Sequence, residues 1–308
     1  SSERIREGLM YALLHDDNPA VRLRAIETLK ALVIDDGVRA ALRHALMSDR
    51  NPGVRVEAID ALKAVRDAAT AAVFERRAID DGNGYIRGYL VRPFSADSRS
   101  ETPAQLPGVI VIHENRGLNP HTEDVARRFA LANFMAFAPD ALTTVGGYPG
   151  DDYQGGQLFR TIDGEKMTAD FVAAARWLKS RPDCNGRIAA TGFCFGGGMS
   201  NTLAVLLGAD LAAAAPFYGR APAAEDVPKI RTAMLIHHGA LDTRLVEAYP
   251  DYEAAMQANN VVHEGHIYPD SVHGFFNDAT PERYNQGTAE EAWTRTIAWF
   301  NRYTREAA

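Results

Sequence analysis

The sequence has 308 residues, of which 46% are apolar, and a formal net charge of −7 at pH 7. This length and composition suit about two domains, and the acidic balance argues against binding nucleic acid through a basic surface. No run reaches the roughly 18 apolar residues of a membrane-spanning helix, two cysteines make no disulfide scaffold, and no Cys/His spacing is typical of a metal site.

The first segment contains an internal repeat. Residues 18–31 align with residues 51–64, a spacing of about 33 residues, and each copy starts with Asn-Pro and continues with apolar residues at helical spacing. Residues 33–47 supply an intervening helix. The pattern resembles HEAT repeats, so we predict a small all-α segment over residues 1–68.

Two repeat units are too few to bury their apolar faces alone. We therefore expect them to pack on the rest of the chain, on a second subunit of a homodimer, or on a protein partner. Their acidic and basic residues nearly balance, which argues against a nucleic-acid arm. A packing appendage without a partner is the alternative.

The second part, residues 69–308, alternates strands with helices. Residues 73–79 and 85–92 read as two strands around a turn at 80–84, and residues 95–107 read as a surface loop. Helices are predicted after each later strand, at 121–132, 165–179, 197–207, 243–259 and 289–305. This alternation predicts the α/β class, with a mostly parallel sheet covered on both faces.

Two loops of this part carry polar or aromatic side chains. Residues 108–118 form a buried-type strand that ends in a polar turn with Glu114, Asn115 and Arg116. The glycine-rich stretch 146–156 contains Tyr148 and Tyr153, which we expect to form a pocket wall, and the stretch is a candidate mobile lid.

Residues 190–198 match the G-x-nucleophile-x-G elbow of an α/β hydrolase, with Cys194 at the nucleophile position. A short strand at 187–190 precedes it and a small-residue helix follows it. Glycines at 192 and 196 suit the tight, strained turn that exposes the nucleophile. The alternative is a buried core cysteine. For the second cysteine, Cys184, we expect a surface position.

An elbow cysteine needs a base, and the base needs an orienting acid. Asp242 follows an apolar strand and lies at the carboxyl edge of the sheet, where ligands of open α/β sheets bind. His273 follows the last strand, so the chain order is nucleophile, acid, histidine. The alternatives are a helix N-cap for Asp242 and a loop histidine packed on Phe275. His237, His238, His263 and His266 are poorer candidates for the base.

The oxyanion hole of this fold uses the amide after the nucleophile and one from the loop after the third strand. These donors are the backbone N–H groups of Phe195 and Asn115. Glu114 is unexpected there, because a carboxylate repels the developing anion. It is compatible with the site if it points toward Cys194 and holds the thiol proton; the alternative is a surface ion pair with Arg116.

The sequence resembles the dienelactone hydrolase, or carboxymethylenebutenolidase, family over about residues 73–303. The motifs that carry the resemblance are residues 113–118, 192–197, 239–242 and 273–275. The resemblance implies an α/β-hydrolase fold and a triad of Cys194, Asp242 and His273, with Glu114 regulating the resting thiol. It also implies hydrolysis of an enol lactone to a keto acid through a thioester acyl-enzyme, without metal or organic cofactor.

The sequence departs from the chlorocatechol-pathway members of that family. Those members hold the substrate carboxylate with arginines, one of them shortly after the catalytic histidine, and residues 273–278 contain none. Arg116, Arg220 and Arg244 are candidates for a replacement anion site, because a guanidinium binds a carboxylate bidentately. Each is equally consistent with a surface ion pair.

Three functions follow from the sequence. The first is hydrolysis of a carboxylic ester or lactone. The second is a broader hydrolase of the same fold that acts on other acyl or activated phosphoryl esters. The third is a repeat-based interaction protein with a degenerate hydrolase domain. The chain begins at Ser1, so a signal peptide could have been removed, and we expect a cytoplasmic location.

Overall fold

The computed structural model describes residues 2–32, 35–63, 72–80, 84–93 and 105–305. They form two compact units, the first made of the N-terminal helices and the second of the sheet and the helices that follow. The predicted domain boundary at residues 68 and 69 lies outside the described residues, so it stays a prediction.

The first unit contains four helices, and its repeated turns explain the repeated sequence. They are α1 (Ser2–His15), α2 (Pro19–Leu29), α3 (Asp36–Ser48) and α4 (Pro52–Lys63). Asn18 caps α2 by accepting a hydrogen bond from the amide of Ala20 at 2.9 Å, and Asn51 accepts one from Gly53 at 2.8 Å. Asparagine is a preferred cap, and the proline after it suits the first helical position.

A buried arginine joins the two turns. The Arg22 guanidinium donates to both carboxylate oxygens of Asp49, at 2.7 and 2.9 Å, and to the carbonyl of Asp16 at 2.6 Å. A bidentate pair of this kind fixes geometry as well as adding energy. The apolar faces of the helices meet in a core that includes Leu13, Ile26, Leu29, Leu42 and Val54.

The second unit is built on one eight-stranded sheet. Its strands are β1 (Ala72–Asp80), β2 (Tyr85–Pro93), β3 (Leu106–Ile112), β4 (Met135–Pro139), β5 (Cys184–Phe193), β6 (Ala213–Phe217), β7 (Ala233–Gly239) and β8 (His263–Tyr268). Their order in the sheet is β1-β2-β4-β3-β5-β6-β7-β8. Strand β2 runs antiparallel to β4. The strands β4, β3, β5, β6, β7 and β8 pair in parallel in that order, which confirms the predicted mostly parallel sheet. Most of the predicted turn between β1 and β2 lies outside the described residues.

The helices of this unit are α5 (Pro120–Leu131), α6 (Asp152–Phe159), α7 (Gly164–Ser180), α8 (Phe195–Leu207), α9 (Thr243–Ala258) and α10 (Gln286–Thr304). Five of them confirm the predicted helices to within a few residues. Strands β3, β4, β6 and β7 are almost entirely buried, because helices cover both faces of the sheet. Because these central strands run in parallel, their carboxyl ends lie at one edge of the sheet.

Two sequence expectations were wrong in this unit. Half of the stretch read as a glycine-rich loop is helix α6, which Asp151 caps. Glycine weakens the helical signal there but is needed, because a Cβ at Gly155 would lie 2.2 Å from the carbonyl oxygen of Arg116. Cys184 is not at the surface, since it begins β5 and is 4% exposed. Burial raises the pKa of its thiol.

Among the residues described, no helix is both long and apolar enough to cross a membrane.

Candidate active site

Cys194 lies at a strained turn between β5 and α8. Its backbone adopts φ 55° and ψ −109°, a conformation that only surrounding constraints maintain in a non-glycine residue. The constraints are close backbone contacts at the flanking glycines. A Cβ at Gly192 would lie 2.3 Å from the carbonyl oxygen of Gly196, and one at Gly196 would lie 2.3 Å from that of Ile112. The geometry explains why glycine occupies both positions.

The structure brings Asp242 and His273 together. His273 Nδ1 lies 2.5 Å from Asp242 Oδ2, although the residues are separated by 31 positions. Asp242 is the N-cap residue of α9, but its side chain makes no capping hydrogen bond there and bonds His273 instead. The Asp242 side chain is 9% exposed and that of His273 is 31% exposed, which leaves the imidazole accessible from solvent.

His273 also interacts with Cys194, which contributes to the pKa of its ring. Burial lowers the pKa of His273, but hydrogen bonds to Cys194 and Asp242, with the charges of both, outweigh burial and raise it from 6.5 to about 9. The raised value describes an imidazolium stabilised by the Asp242 carboxylate and a Cys194 thiolate, which is the ion pair that transfer of the thiol proton to the neutral imidazole produces.

The remaining histidines near the site have structural partners or stay neutral. His237 is fully buried between the hydroxyls of Tyr268 and Thr296, each 3.0 Å away. Burial lowers the pKa of His238 to about 4. His113 holds the loop after β3, because its Nε2 accepts a hydrogen bond from the amide of Ala141 at 3.1 Å. Sequence reasoning did not single out His113.

The two amides considered for an oxyanion hole have no hydrogen-bond partner within the described part of the chain. Phe195 is the first residue of α8, so its N–H has no acceptor inside the helix. Asn115 lies in the loop after β3 and is exposed. Amides at a helix N-terminus favour negative charge.

Glu114 is buried, with only 7% exposure. Its Oε1 accepts a hydrogen bond of 3.4 Å from Asn277 Nδ2, and the described residues include no ion pair between Glu114 and Arg116. The surface-pair alternative therefore does not describe Glu114. A buried carboxylate with one long hydrogen bond is under-satisfied, which is costly unless another group completes its shell.

Tyr218 is a site residue that the sequence analysis missed. It is 1% exposed, takes φ 38°, and places its ring 4.9 Å from the His273 ring. Its hydroxyl has no hydrogen-bond partner in the described structure. Burial first, then the charges of Glu114 and Cys194, raise the pKa of Tyr218 well above its usual range. The only sequence signal was its place directly after strand β6, at the sheet edge that carries Cys194.

Models of two known protein families match the chain. The family model described as "Dienelactone hydrolase family" matches residues 86–304, and a model of HEAT repeats matches residues 6–91. The chain belongs to the dienelactone hydrolase family. Membership identifies it as a hydrolase with the α/β-hydrolase fold, preceded by HEAT-like helices.

Among its relatives is a putative carboxymethylenebutenolidase from Synechocystis, 30% identical over 243 residues, which are 72% of this chain and 94% of that protein. A shorter Escherichia coli protein, the putative hydrolase fragment YghX, is 54% identical over 83 residues, which cover 27% of this chain and 66% of the fragment.

Two solved structures are also similar. The crystal structure of a putative dienelactone hydrolase from Klebsiella pneumoniae has a TM-score of 0.66 and 25% identity, and the match covers 76% of this chain and all of that one. A dienelactone hydrolase-like promiscuous phosphotriesterase from metagenomic libraries has a TM-score of 0.64, 25% identity and the same coverage.

The arginines considered for an anion site lie in different environments in this member of the dienelactone hydrolase family. Arg116 is half-buried beside Tyr148, whereas Arg220 and Arg244 are exposed. None of the three forms an ion pair with another described residue. Their positions do not by themselves select one of them as an anion ligand.

A fourth arginine, Arg283, lies closer to His273 than sequence spacing indicated. Its guanidinium packs on Gly274, where an added Cβ would lie 3.0 Å from a guanidinium nitrogen. Within the described part of the chain it forms an ion pair with the exposed side chain of Glu282, at 3.7 Å. The loop between His273 and Arg283 folds back on itself, which a linear sequence does not reveal.

Tyr148 and Tyr153, the expected pocket-wall residues, lie in different surroundings. Tyr148 donates a hydrogen bond to Asp152 at 2.8 Å and lines a cavity of about 550 Å³ with Arg87, Glu123 and Asp140. Tyr153 is 74% exposed. The aromatic group beside the elbow is instead Phe195, whose ring lies 4.8 Å from Phe159 of α6.

A buried ion network fixes the loop that carries His273. The Asp278 carboxylate lies 2.5 Å from Arg128 and 3.1 Å from His121 Nδ1, both on α5. The neighbouring residue, Asn277, bonds Glu114. One loop is thus tied to both α5 and the β3 turn. We infer that these contacts fix the position of the His273 ring relative to Cys194.

No group of His, Cys, Asp and Glu side chains among the described residues is arranged to hold a metal ion.

Proposed function

We propose that the protein hydrolyses carboxylic esters, including enol lactones, with Cys194 as nucleophile, His273 as general base and Asp242 as the orienting acid. The observation that carries this proposal is the His273–Asp242 pair at 2.5 Å beside the nucleophile elbow of Cys194, with Cys194 among the groups that raise the pKa of His273. Membership of the dienelactone hydrolase family and the carboxymethylenebutenolidase relatives support the substrate class.

The first half-reaction forms a thioester. An ordinary thiol has a pKa near 8.5 and is only a few per cent thiolate at neutral pH, so His273 takes the proton as sulfur attacks the ester carbonyl. The tetrahedral oxyanion accepts hydrogen bonds from the amides of Phe195 and Asn115. One such donor contributes about 3 kcal/mol of transition-state stabilisation. His273 returns the proton to the departing alkoxide or enolate.

The second half-reaction uses water. His273 removes a proton from a water molecule that attacks the thioester carbonyl, the same two amides hold the second oxyanion, and the thiol leaves with the proton from His273. An enolate is a better leaving group than an alkoxide. Activated esters and lactones therefore suit the site better than peptides.

Glu114 acts on the resting enzyme in this proposal. Its burial and its single long hydrogen bond leave capacity for one more donor, and the thiol of Cys194 is a candidate. A thiol proton held by Glu114 keeps the sulfur neutral until substrate displaces the bond. Arg283 and Arg116 are our candidates for binding an acidic substituent of the substrate, since both lack a strong ion partner among the described residues.

The test compares the full-length protein with Cys194→Ala and Cys194→Ser on p-nitrophenyl acetate and on a dienelactone. We expect turnover that the alanine variant abolishes, and a mass increase on Cys194 equal to the acyl group in rapidly quenched wild type. Full activity in Cys194→Ser would contradict the thiolate mechanism. Cys184→Ala, which alters a buried thiol outside the site, is the matched control and should keep activity.

A second candidate is hydrolysis of activated phosphoryl esters. It is favoured by the similarity to a promiscuous phosphotriesterase at 25% identity. Turnover of a p-nitrophenyl phosphotriester that depends on Cys194 would support it. Loss of all turnover with both substrate classes would favour the interaction-protein alternative. A partner for the repeats and a cytoplasmic location stay predictions from the sequence.

A further inference from the structure

Strand β8 lies at the end of the sheet and has one unpaired side. It pairs in parallel with β7, with His266 opposite His237, and no described strand follows it in the sheet order. The carbonyls flanking this pairing show which way the strand faces. Val262 accepts from the amide of Met234 at 2.9 Å, and Tyr268 accepts from Ala240 at 2.8 Å.

Successive residues of a strand direct their backbone groups to opposite sides. Since Val262 and Tyr268 face β7, Glu264 and His266 face it as well. The N–H and C=O groups of His263, Gly265 and Ile267 therefore point to the unpaired side.

This edge lacks most of the features that natural proteins use to block edge pairing. Strand β8 contains no proline, no lysine and no described bulge, and its one carboxylate is Glu264. Glu264 and Gly265 are exposed, and the apolar side chains of Val262 and Ile267 are 53% and 42% exposed. A strand of this kind is a template for another strand.

We propose that β8 pairs antiparallel with β8 of a second copy of this chain, about a two-fold axis at Gly265. Gly265 then faces the partner's Gly265, and His263 faces the partner's Ile267. All three positions direct their backbone groups outward, so they form the hydrogen-bonded pairs of the new ladder. Glu264 lies opposite the partner's His266 in a pair without backbone hydrogen bonds, where side chains approach most closely.

The two neighbouring symmetric registers are worse. An axis at Glu264 opposes two carboxylates, and like charges directly opposite destabilise a sheet. An axis at His266 opposes two imidazoles that are each bonded by an Arg295 guanidinium, so it brings two cations together.

The axis at Gly265 places opposite charges together. The Glu264 side chain is 54% exposed, and it lies opposite the partner's His266, whose Nδ1 is bonded by the Arg295 guanidinium. His266 Nε2 is buried within one copy, so the attraction acts through these charges and not through a new hydrogen bond to that nitrogen. The edge is thus complementary to itself in one register.

Sedimentation velocity of the full-length protein over a range of concentrations tests this pairing. We expect a reversible dimer. Glu264→Lys should weaken its association at least tenfold, and Ile267→Pro, which removes an outward N–H, should abolish it. Glu225→Lys makes the same charge change at an exposed position away from β8 and should leave the dimer intact. Circular dichroism melting of each variant reports whether the fold is kept.

Disulfide trapping tests the register. Cα atoms of a pair without backbone hydrogen bonds are about 4.5 Å apart, within the range of a disulfide. Glu264→Cys combined with His266→Cys should form a dimer linked between residue 264 of one copy and residue 266 of the other, identified by peptide mass spectrometry. Glu264→Cys alone should not cross-link. A monomer at every concentration, or a dimer unchanged in Glu264→Lys and Ile267→Pro, would overturn the proposal.

Discussion

Replacement of Asp242 by asparagine tests the proposed role of Asp242 in orienting His273, the general base. The side chain keeps its size, but the carboxylate that lies 2.5 Å from His273 Nδ1 is lost. The amide can also hold the imidazole in the wrong tautomer, which in a serine triad lowers kcat about 10⁴-fold. We expect a decrease in kcat/KM of about 10³- to 10⁴-fold, or roughly 4 to 5.5 kcal/mol of transition-state stabilisation.

The same change should lower the pKa of His273. Its value of about 9, against an ordinary 6.5, corresponds to about 3 kcal/mol at full strength. Cys194 and Asp242 both contribute to this stabilisation of the protonated ring, and burial opposes it. Solvent at the partly exposed ring also screens it, so we assign Asp242 about 1 to 2 kcal/mol.

Two assays measure these effects. Stopped-flow acylation with p-nitrophenyl acetate gives the rate, and NMR titration of the His273 ring, assigned against His273→Gln, gives the pKa. Asp251→Asn, at an exposed position of α9, is the control for removal of one carboxylate from this region. A rate within tenfold of wild type, or an unchanged His273 titration, would refute the reasoning.

The raised pKa also makes stability depend on pH. Because the folded protein binds the His273 proton more tightly than the unfolded chain, the stabilisation is fully present below about pH 6.5 and is lost as pH rises toward 9. The free energy of unfolding, measured with urea, should therefore fall over this window by more in wild type than in Asp242→Asn. An equal fall in both would contradict the assignment.

Three further predictions follow from single contacts. Gly196→Ala should abolish turnover and lower the melting temperature, because its Cβ would lie 2.3 Å from a backbone oxygen; normal activity would show that the elbow tolerates a side chain. Asp278→Asn should reduce the free energy of unfolding by about 2 kcal/mol, because Arg128 loses one buried carboxylate partner and keeps the other, Asp124; urea denaturation measures this, and a loss below about 0.5 kcal/mol would count against the network. Tyr218→Phe should leave the free energy of unfolding unchanged or about 1 kcal/mol higher, since it removes a buried hydroxyl without a partner in the described structure; a clear loss of stability in urea denaturation would mean that the hydroxyl is already bonded.

Local patterns in the sequence were sufficient for much of this protein. The alternation of apolar strands with helices predicted the sheet and five of its helices, because periodicity depends on neighbours a few residues apart. The elbow glycines around Cys194 and the repeated Asn-Pro turns were readable for the same reason. Asp242 and His273 were selected by their order along the chain, which the fold constrains.

Other features depend on contacts between distant segments, and only the tertiary structure decided them. Cys184 is buried because α7 and β3 cover the start of β5. Helix α6 contains two glycines that oppose its formation, and packing on the loop of Arg116 outweighs that propensity. Tyr218 and Arg283 lie near His273 because the end of β6 and the loop after β8 come together in the folded chain. Burial and the absence of a hydrogen-bond partner are properties of the assembled core, so no local pattern could have assigned them.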